Sequence, residues 1–283
     1  MLALLLVLCS ALAEETSQSI GKRSVKRKRE SVYGLGFLEL FWGFIVMIGL
    51  VIVTPGNHFS TASLPTLIPR IFLEILVTYL TVEAIVRVER STMGFLRLTT
   101  IPFLLLVDII LGYHLTPLQI AGVLVMFFAL VLAFHHNPAG QKGAWIVVLG
   151  AFLCVGTVSL YKYDITHYNS VAVEQSIVMG VLLLVFYLKA RGGKHSPFRL
   201  LVEPVTGTQA IASGLSSVLA SFSMLFAPAS VVISLKRTFA LLWAVLFGRA
   251  YFREHSLRRK LISFGFTSLG IFLLVSPYWP SSW

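Results

Sequence analysis

Apolar residues occur along this chain in runs of about twenty, separated by short polar stretches. A run of that length spans the hydrocarbon core of a bilayer as a helix. The pattern predicts ten membrane-spanning helices, at about 2–21, 33–54, 67–87, 93–113, 117–135, 143–161, 171–189, 207–226, 229–251 and 260–278. The connections are short, and the longest runs from about Lys189 to Glu203. The sequence therefore predicts an all-α integral membrane protein with almost nothing left for a soluble domain.

The composition agrees with that class. Hydrophobic residues make up 57% of the 283 residues and charged residues 12%, and the mean hydropathy is +0.85. These values exclude an ordinary soluble domain. The two cysteines, Cys9 and Cys154, lie inside predicted helices and indicate no disulfide framework, zinc site or redox motif.

The chain also repeats itself at an offset of 140 residues. The matching positions are Ser17 and Thr157, Ser19 and Ser159, Ile20 and Leu160, Lys22 and Lys162, Arg97 and Arg237, and Thr116 and Ser256. They predict two five-helix repeats, residues 1–136 and 143–278, in a single membrane domain. Because each repeat has an odd number of crossings, the second is expected to be inverted relative to the first. Membrane proteins built this way usually place a substrate site between the repeats.

Basic residues predict how the helices are oriented. The net charge is +11, and most of the 23 Lys and Arg residues fall in connections on one face if every helix crosses. They are Lys22, Arg23, Lys26, Arg27, Lys28, Arg29, Arg87, Arg90, Lys142, Lys189, Arg191, Lys194, Arg199, Arg249, Arg253, Arg258, Arg259 and Lys260. The positive-inside rule places these connections in the cytoplasm and both termini outside. We interpret the run from Lys26 to Arg29 as an orienting loop rather than a nucleic-acid site.

The first helix has a second interpretation. Met1–Ala13, followed by Glu14, also fits a cleavable secretory signal with Ala11-Leu12-Ala13 as its cleavage site. No Lys or Arg precedes the apolar run, whereas signal peptides normally begin with basic residues. A retained helix is therefore favoured, and cleavage would instead leave nine helices beginning near Val32.

Three basic residues inside predicted helices stand out: Arg97 in the fourth, and Lys236 and Arg237 in the ninth. A charge within a span is costly unless it is paired or hydrated, so each is a candidate functional residue. In inverted repeats the two helices enter the membrane from opposite sides and can bring these cations to one cavity. We predict that Arg237, Lys236 and Arg97 bind substrate. Structural pairing with Glu14, Glu74 or Asp108 is the alternative.

Glu14 lies near the middle of the first helix, and Gln18 follows four residues later on the same face. A desolvated carboxylate at this depth could carry a proton in coupled transport, so Glu14 is the predicted proton-coupling residue. A counter-charge to Arg237 is the alternative role. Gln18 joins the predicted substrate-binding residues because it shares this face.

Other polar residues inside the helices are interpreted as structural. Arg70 and Glu74 are four residues apart on one helix face and are predicted to pair. The serines of the eighth helix are interpreted as small residues at helix contacts, with a polar cavity wall as the alternative. They are Ser213, Ser216, Ser217, Ser221 and Ser223.

The chain resembles members of the drug/metabolite transporter superfamily, in its ten-helix EamA branch, over nearly all of its 283 residues, and most strongly in its last two helices. The resemblance is carried by Ala227-Pro228-Ala229-Ser230, Ser234-Leu235-Lys236-Arg237, Phe247-Gly248, Glu254 and the run 259–274, with Asp108, Gly112, Thr116, Gln119 and Gly122 as counterparts in the first repeat. It implies secondary transport without a cofactor.

Two finer resemblances concern the candidate site. Leu12-Ala13-Glu14, with Lys22 eight residues later, is similar to the first helix of small multidrug resistance proteins, whose membrane glutamate binds protons and drug in turn. Lys236-Arg237 is similar to the pair that holds the substrate phosphate in plastid phosphate translocators, with Arg97 near the place of a further cation.

The expected function is secondary active transport of a small organic solute, such as an amino acid, an organic acid or a phosphorylated compound, exchanged against protons. The expected location is a bacterial or archaeal plasma (inner) membrane. Alternatives are a multidrug or lipophilic-cation exporter, a membrane-embedded lipid-modifying enzyme, and a structural or assembly factor. The sequence contains no Walker A loop, HExxH or GxSxG motif, so no enzymatic activity, cofactor or metal is expected. The expected partners are a small-molecule substrate and the lipid bilayer, without nucleic acid, and homodimerisation stays open.

Overall fold

The computed structural model describes residues 2–27, 29–104, 116–134, 143–192, 196–226, 229–252 and 257–275. Within these ranges the chain is helical apart from short connections, and no strand occurs. The helices are α1 Leu2–Lys26, α2 Val32–Val53, α3 Leu64–Arg87, α4 Arg90–Arg97, α5 Pro117–Phe134, α6 Ala144–His167, α7 Val171–Ala190, α8 Pro197–Val202, α9 Pro204–Phe226, α10 Ala229–Phe252 and α11 Leu257–Val275. A 3-10 turn at Thr61–Ser63 precedes α3.

In the part of the chain that the structure describes, six helices are long and apolar enough to cross a membrane: α1, α2, α6, α7, α9 and α10. Large apolar side chains point away from the helix contacts; Ile52, Phe72 and Phe272 are exposed by 78%, 66% and 64%. Such exposure would destabilise a soluble protein, but it suits a surface that faces lipid. The molecule is therefore an all-α integral membrane protein.

Helix packing places α1 at the centre of the bundle. α1 lies against α9 and α10, α2 against α7 and α9, α3 against α6, and α5 against α11. Small residues allow the closest approaches. A Cβ added to Gly214 of α9 would lie 2.6 Å from the Trp42 Cβ and 2.8 Å from the Gly43 backbone nitrogen of α2. Helices that associate in lipid commonly use such contacts between small residues.

The fourth predicted helix, at about 93–113, is interrupted in the part that the structure describes. α4 ends at Arg97, a turn covers Leu98 and Thr99, and helical structure resumes at 100–104. Pro102 has no N–H to donate to the Leu98 carbonyl, and Ile101 instead donates to that oxygen at 2.9 Å. The prediction of one continuous helix was therefore wrong, because it overlooked this proline.

The connections gather on two faces of the bundle. On the basic face, formed by residues 27, 29–31, 88–89 and 143, the Lys22 Nζ donates to the Val88 carbonyl. On the opposite face, formed by residues 54–63 and 168–170, the Asn169 Oδ1 accepts from the Ser60 backbone N–H at 2.9 Å. Successive connections therefore alternate between the faces in this region, as expected of helices that each cross the membrane.

Candidate solute-binding cavity

A cavity of about 280 Å³ lies inside the bundle. Its wall contains residues of α1, α2, α3, α4, α6, α7, α9 and α10. All five predicted site residues line it: Glu14, Gln18, Arg97, Lys236 and Arg237. Its volume is near the lower end of the range for small-molecule sites, about 300–1,000 Å³. The cavity is therefore large enough for a small organic solute.

Glu14 is held between two cations. Its Oε1 accepts from the Arg97 Nη1 at 2.9 Å, and its Oε2 lies 2.8 Å from the Lys236 Nζ. The three side chains are only 11–16% exposed. This arrangement stabilises the ionised carboxylate, whereas the coupling hypothesis began from an isolated one. The alternative role, a counter-charge to a cation, is thus present, but its partners are Arg97 and Lys236 rather than Arg237.

Gln18 connects this group to a second ion pair. Its Nε2 donates to Glu14 at 2.9 Å, and its Oε1 accepts from Arg97 at 3.1 Å and from Arg90 at 2.8 Å. Arg90 also binds both oxygens of Glu15, with distances of 2.8 Å and 2.6 Å. Such a two-pronged pair is strong and geometrically specific. The pair links α1 to α4 and separates the cavity from the basic face.

Arg237 has a different environment. Its Nη2 contacts the Cys154 Sγ at 3.7 Å, and its buried Nε has no hydrogen-bond partner. No carboxylate pairs with this guanidinium among the residues that the structure describes. A thiol is only a weak acceptor. Arg237 thus keeps most of its capacity to bind an anion.

A Cβ added to Gly94 of α4 would lie 3.1 Å from the Leu241 Cδ1 and 3.2 Å from the Ala244 Cβ of α10. This close approach brings the end of α4 next to α10. It explains how Arg97, on one of these helices, reaches the same carboxylate as Lys236, on the other.

Arg70 does not pair with Glu74, so that prediction was wrong. Its Nη1 instead donates to Glu174 of α7, and its guanidinium stacks on Tyr161 at 4.3 Å from the ring centre. Asn169 donates to the other oxygen of Glu174 at 2.6 Å and to the Ser63 hydroxyl at 2.9 Å. Tertiary packing brings a closer carboxylate to Arg70 than the one four residues away.

Sequence reasoning missed two cavity carboxylates, Glu39 of α2 and Glu74 of α3. Neither pairs with a described basic residue, and the Glu39 Oε1 is buried without a hydrogen-bond partner. The signal was present, since any ionisable residue inside a span is a candidate for function. It was not applied to Glu74 because that residue was predicted to pair with Arg70.

The rest of the wall is polar on one side. Four serines of α9 line the cavity: Ser213, Ser216, Ser217 and Ser221. Two of them also make helix contacts, because Ser216 accepts from Ser10 of α1 at 2.9 Å and Ser213 donates to the Glu39 carbonyl at 2.9 Å. Both interpretations of these serines therefore apply.

The cavity lies toward the opposite face. Its wall on α9 extends from Ser213 to Met224, near the end of that helix, and its wall on α7 begins at Gln175, near the start of that helix. The Arg70–Glu174 pair lies at this end. The described residues contain no group of three or more His, Cys, Asp or Glu side chains arranged to hold a metal ion. Asp108 and the pair His135-His136 lie outside the described residues.

Comparisons with known proteins support the fold but not a family. No family model matches the chain, and no curated protein does. Solved chains with a similar structure number 21. One of them, a crystal structure, matches with a TM-score of 0.59 over 96% of this chain and 99% of its own, at 13% sequence identity. At that identity the likeness shows a shared fold alone.

Proposed function

We propose that this protein is a secondary active transporter of a small organic solute that carries an anionic group. The observation that carries the proposal is Arg237, a half-buried cavity arginine that meets a thiol rather than a carboxylate. An arginine inside a membrane protein without a counter-charge is costly, and an anionic ligand would offset that cost. Its planar fork of donors suits a carboxylate or phosphate.

The repeat offset gives a physical reason for this asymmetry. Adding 140 to Arg97 gives Arg237, and adding 140 to Glu14 gives Cys154. The same pair of positions is in contact in both halves, with Arg97 on Glu14 and Arg237 on Cys154. A thiol in place of the carboxylate leaves the second arginine free for a ligand.

We also propose the ten-helix architecture of two inverted repeats, 1–136 and 143–278. The helix bounds support it, since α3 begins at Leu64 and α9 at Pro204, and α5 begins at Pro117 and α11 at Leu257. Two lysines support it further. Lys22 donates to the Val88 carbonyl at the end of α3, and Lys162, its counterpart, donates to the Met224 carbonyl at 2.6 Å near the end of α9. A cation at a helix C-terminus is stabilising.

Helix packing supports the same symmetry. An exchange of the repeats turns the contact of α1 with α9 into that of α6 with α3, and both occur. It turns the contact of α1 with α10 into that of α6 with α4, which also occurs. The contacts of α2 with α7, α4 with α10, and α5 with α11 are their own images and are all present.

Proton coupling through Glu14 would follow if the solute anion competes with Glu14 for Arg97 and Lys236, the two cations that pair with it. An anion that binds Arg97 and Lys236 takes away the counter-charges of Glu14. A buried carboxylate without counter-charges is unstable unless it takes up a proton. The solute anion and a proton would therefore bind together, which favours co-transport over the exchange expected from the sequence.

The superfamily and the orientation belong to the same proposal. We place the protein in the EamA branch of the drug/metabolite transporter superfamily, in a bacterial or archaeal plasma membrane, with both termini outside and no enzymatic activity. A single cysteine introduced by Arg27→Cys, at an exposed position on the basic face and on a background without Cys9 and Cys154, tests the orientation. A membrane-impermeant thiol reagent should label it from the cytoplasmic side, and labelling from outside would overturn the orientation.

A second candidate function is export of lipophilic cations. It is favoured by Glu39 and Glu74, two cavity carboxylates that pair with no described basic residue. The cation cluster of Arg97, Lys236 and Arg237 opposes it, because like charges repel a cationic ligand.

The test is a thermal-shift panel on purified protein, with organic acids, amino acids, phosphosugars and lipophilic cations. A ligand of the native state raises its apparent stability, and at a given concentration a tighter ligand raises it more. Arg237→Lys should stay folded and lose about 1–3 kcal/mol of binding to the anions that stabilise the parent, the scale of a charged hydrogen bond. Arg191→Lys, at an exposed position, is the matched control. If Arg237→Lys and Arg237→Ala both bind these anions as tightly as the parent, the anion site is rejected and the lipophilic-cation alternative is favoured.

A further inference from the structure

Glu74 is a cavity carboxylate that the proposed anion site does not use. It lies on α3, lines the same cavity as Arg237 and is half-buried. It pairs with no basic residue that the structure describes, and the arginine nearest in sequence, Arg70, is bound to Glu174 instead. A carboxylate inside a membrane protein is costly to keep without a partner.

The packing of α3 on α6 fixes the depth of Glu74. A Cβ added to Gly156 would lie 3.2 Å from the Leu73 Cδ1, and one added to Gly150 would lie 3.7 Å from the Leu80 Cβ. The two helices therefore run antiparallel, with Leu73 level with Gly156 and Leu80 level with Gly150. This register brings Glu74 level with the residues next to Cys154.

Cys154 is also the residue that Arg237 contacts, at 3.7 Å. Glu74 and Arg237 thus lie at about the same depth on the cavity wall, yet they form no ion pair with each other. Two opposite charges that share a cavity and do not meet leave a gap that a ligand with both charges can bridge. The small volume of the cavity, about 280 Å³, limits the length of that ligand.

We propose that the transported solute carries both charges, an anionic group that binds Arg237 and a cationic group that binds Glu74. This inference rests on the proposed function, and it narrows the substrate class to small zwitterions. The solute would neutralise both side chains at once. A solute with only an anionic group would leave Glu74 without a partner, and a solute with only a cationic group would leave Arg237 without one. A site built to pair with a charged group rejects an analogue that lacks it, because its own buried group is then unpaired.

Three matched ligand series test this inference on the full chain in detergent: free L-α-amino acids, their N-acetyl derivatives, and their methyl esters. The first carries both charges, the second only the anion and the third only the cation. In thermal-shift titrations the parent should bind the best free amino acids at least tenfold more tightly than either derivative. Glu74→Gln should lose most of the preference over the N-acetyl compound. Glu83→Gln, the matched control on the same helix but outside the cavity, should retain it, and Glu39→Gln tests whether the other cavity carboxylate sets the preference instead.

The outcomes separate the two proposals. N-acetyl derivatives that bind the parent as well as the free amino acids, with Arg237→Lys still weakening them, would overturn the zwitterion inference and keep the anion transporter. Esters that bind best, with no effect of Arg237→Lys, would overturn both. A parent stabilised by no free amino acid, or a preference that depends on Glu39 and not on Glu74, would also contradict the inference.

Discussion

Two arginines of the same cavity differ in the side chain at one corresponding position. Arg97 meets the carboxylate of Glu14, and Arg237 meets the thiol of Cys154 at the corresponding position. The Glu14 carboxylate offsets most of the positive charge of Arg97, whereas the Cys154 thiol leaves the positive charge of Arg237 available. In the proposed function, the site therefore depends on one difference between the two halves of the chain, Glu14 in the first and Cys154 at the corresponding position of the second.

Glu14 is the residue whose replacement should separate binding from coupling. Glu14→Gln removes the carboxylate but keeps the size and hydrogen-bonding capacity of the side chain. Because Arg97 and Lys236 are then released, we expect solute binding to persist or tighten while transport no longer responds to a pH gradient. Solute flux into proteoliposomes, with and without an imposed gradient, measures this. Unchanged proton-driven transport would reduce Glu14 to a structural counter-charge.

The sequence predicted individual charged residues better than their partners. Arg97, Lys236, Arg237, Glu14 and Gln18 were identified because polar residues inside apolar runs are rare, and they meet in one cavity. Partners were harder to predict, since they depend on which helices pack together. The pairing of Arg70 with Glu174, which are 104 residues apart, has no local signal in the chain.

At the scale of whole elements, the Arg70–Glu174 pair is a buried link between α3 and α7. The side chains are 3% and 0% exposed. Glu174→Ala would leave the Arg70 guanidinium buried without a counter-charge, so we expect a loss of roughly 3–5 kcal/mol in the free energy of unfolding. Reversible denaturation in mixed micelles measures it.

Glu83→Ala is the matched control for that measurement. Glu83 pairs with Arg87 one helical turn away, and Arg87 is 55% exposed. Exposed pairs contribute about 0–1 kcal/mol. If Glu174→Ala and Glu83→Ala lower the free energy of unfolding by the same small amount, the α3–α7 link does not stabilise the fold.

The connection from α1 to α2 should make stability depend on pH. Burial, together with the charges of Glu39 and Glu203, raises the pKa of Glu30 to about 8. The folded protein then holds a proton that the unfolded chain releases near its ordinary pKa of 4.5. Stability should therefore fall as pH rises from about 4.5 to about 8. Glu30→Gln should flatten the dependence of Tm on pH, and an unchanged slope would contradict this account.

Helix positions were largely predictable, because the apolar runs alone define most of them. The interruption after Arg97 was not, since one proline decides whether the fourth segment continues as a helix. The short helix α8 was also missed. It has only six residues, Pro197–Val202, and lies in the longest predicted connection.

At the scale of the whole molecule, the proposed symmetry explains why the cavity contains a cluster of cations. Inverted repeats bring α4 and α10 together at the centre, and each carries an arginine at the corresponding position. A fully symmetric cavity would have a carboxylate for each arginine and no capacity for an anion. In the proposed function, Cys154 stands where a second carboxylate would lie, which makes the site asymmetric and leaves Arg237 available to an anion.

The most direct test of this account restores the missing carboxylate. In Cys154→Asp the new side chain lies beside Arg237 and competes with the solute anion, while Cys154→Ser keeps a neutral side chain of similar size. For the anionic solute that best stabilises the parent, we predict at least a tenfold loss of affinity in Cys154→Asp, about 1.4 kcal/mol, and little change in Cys154→Ser. Flux into proteoliposomes should fall in the same order. A folded Cys154→Asp protein that binds and transports this solute as well as the parent would contradict the central claim that Arg237 is the anion site.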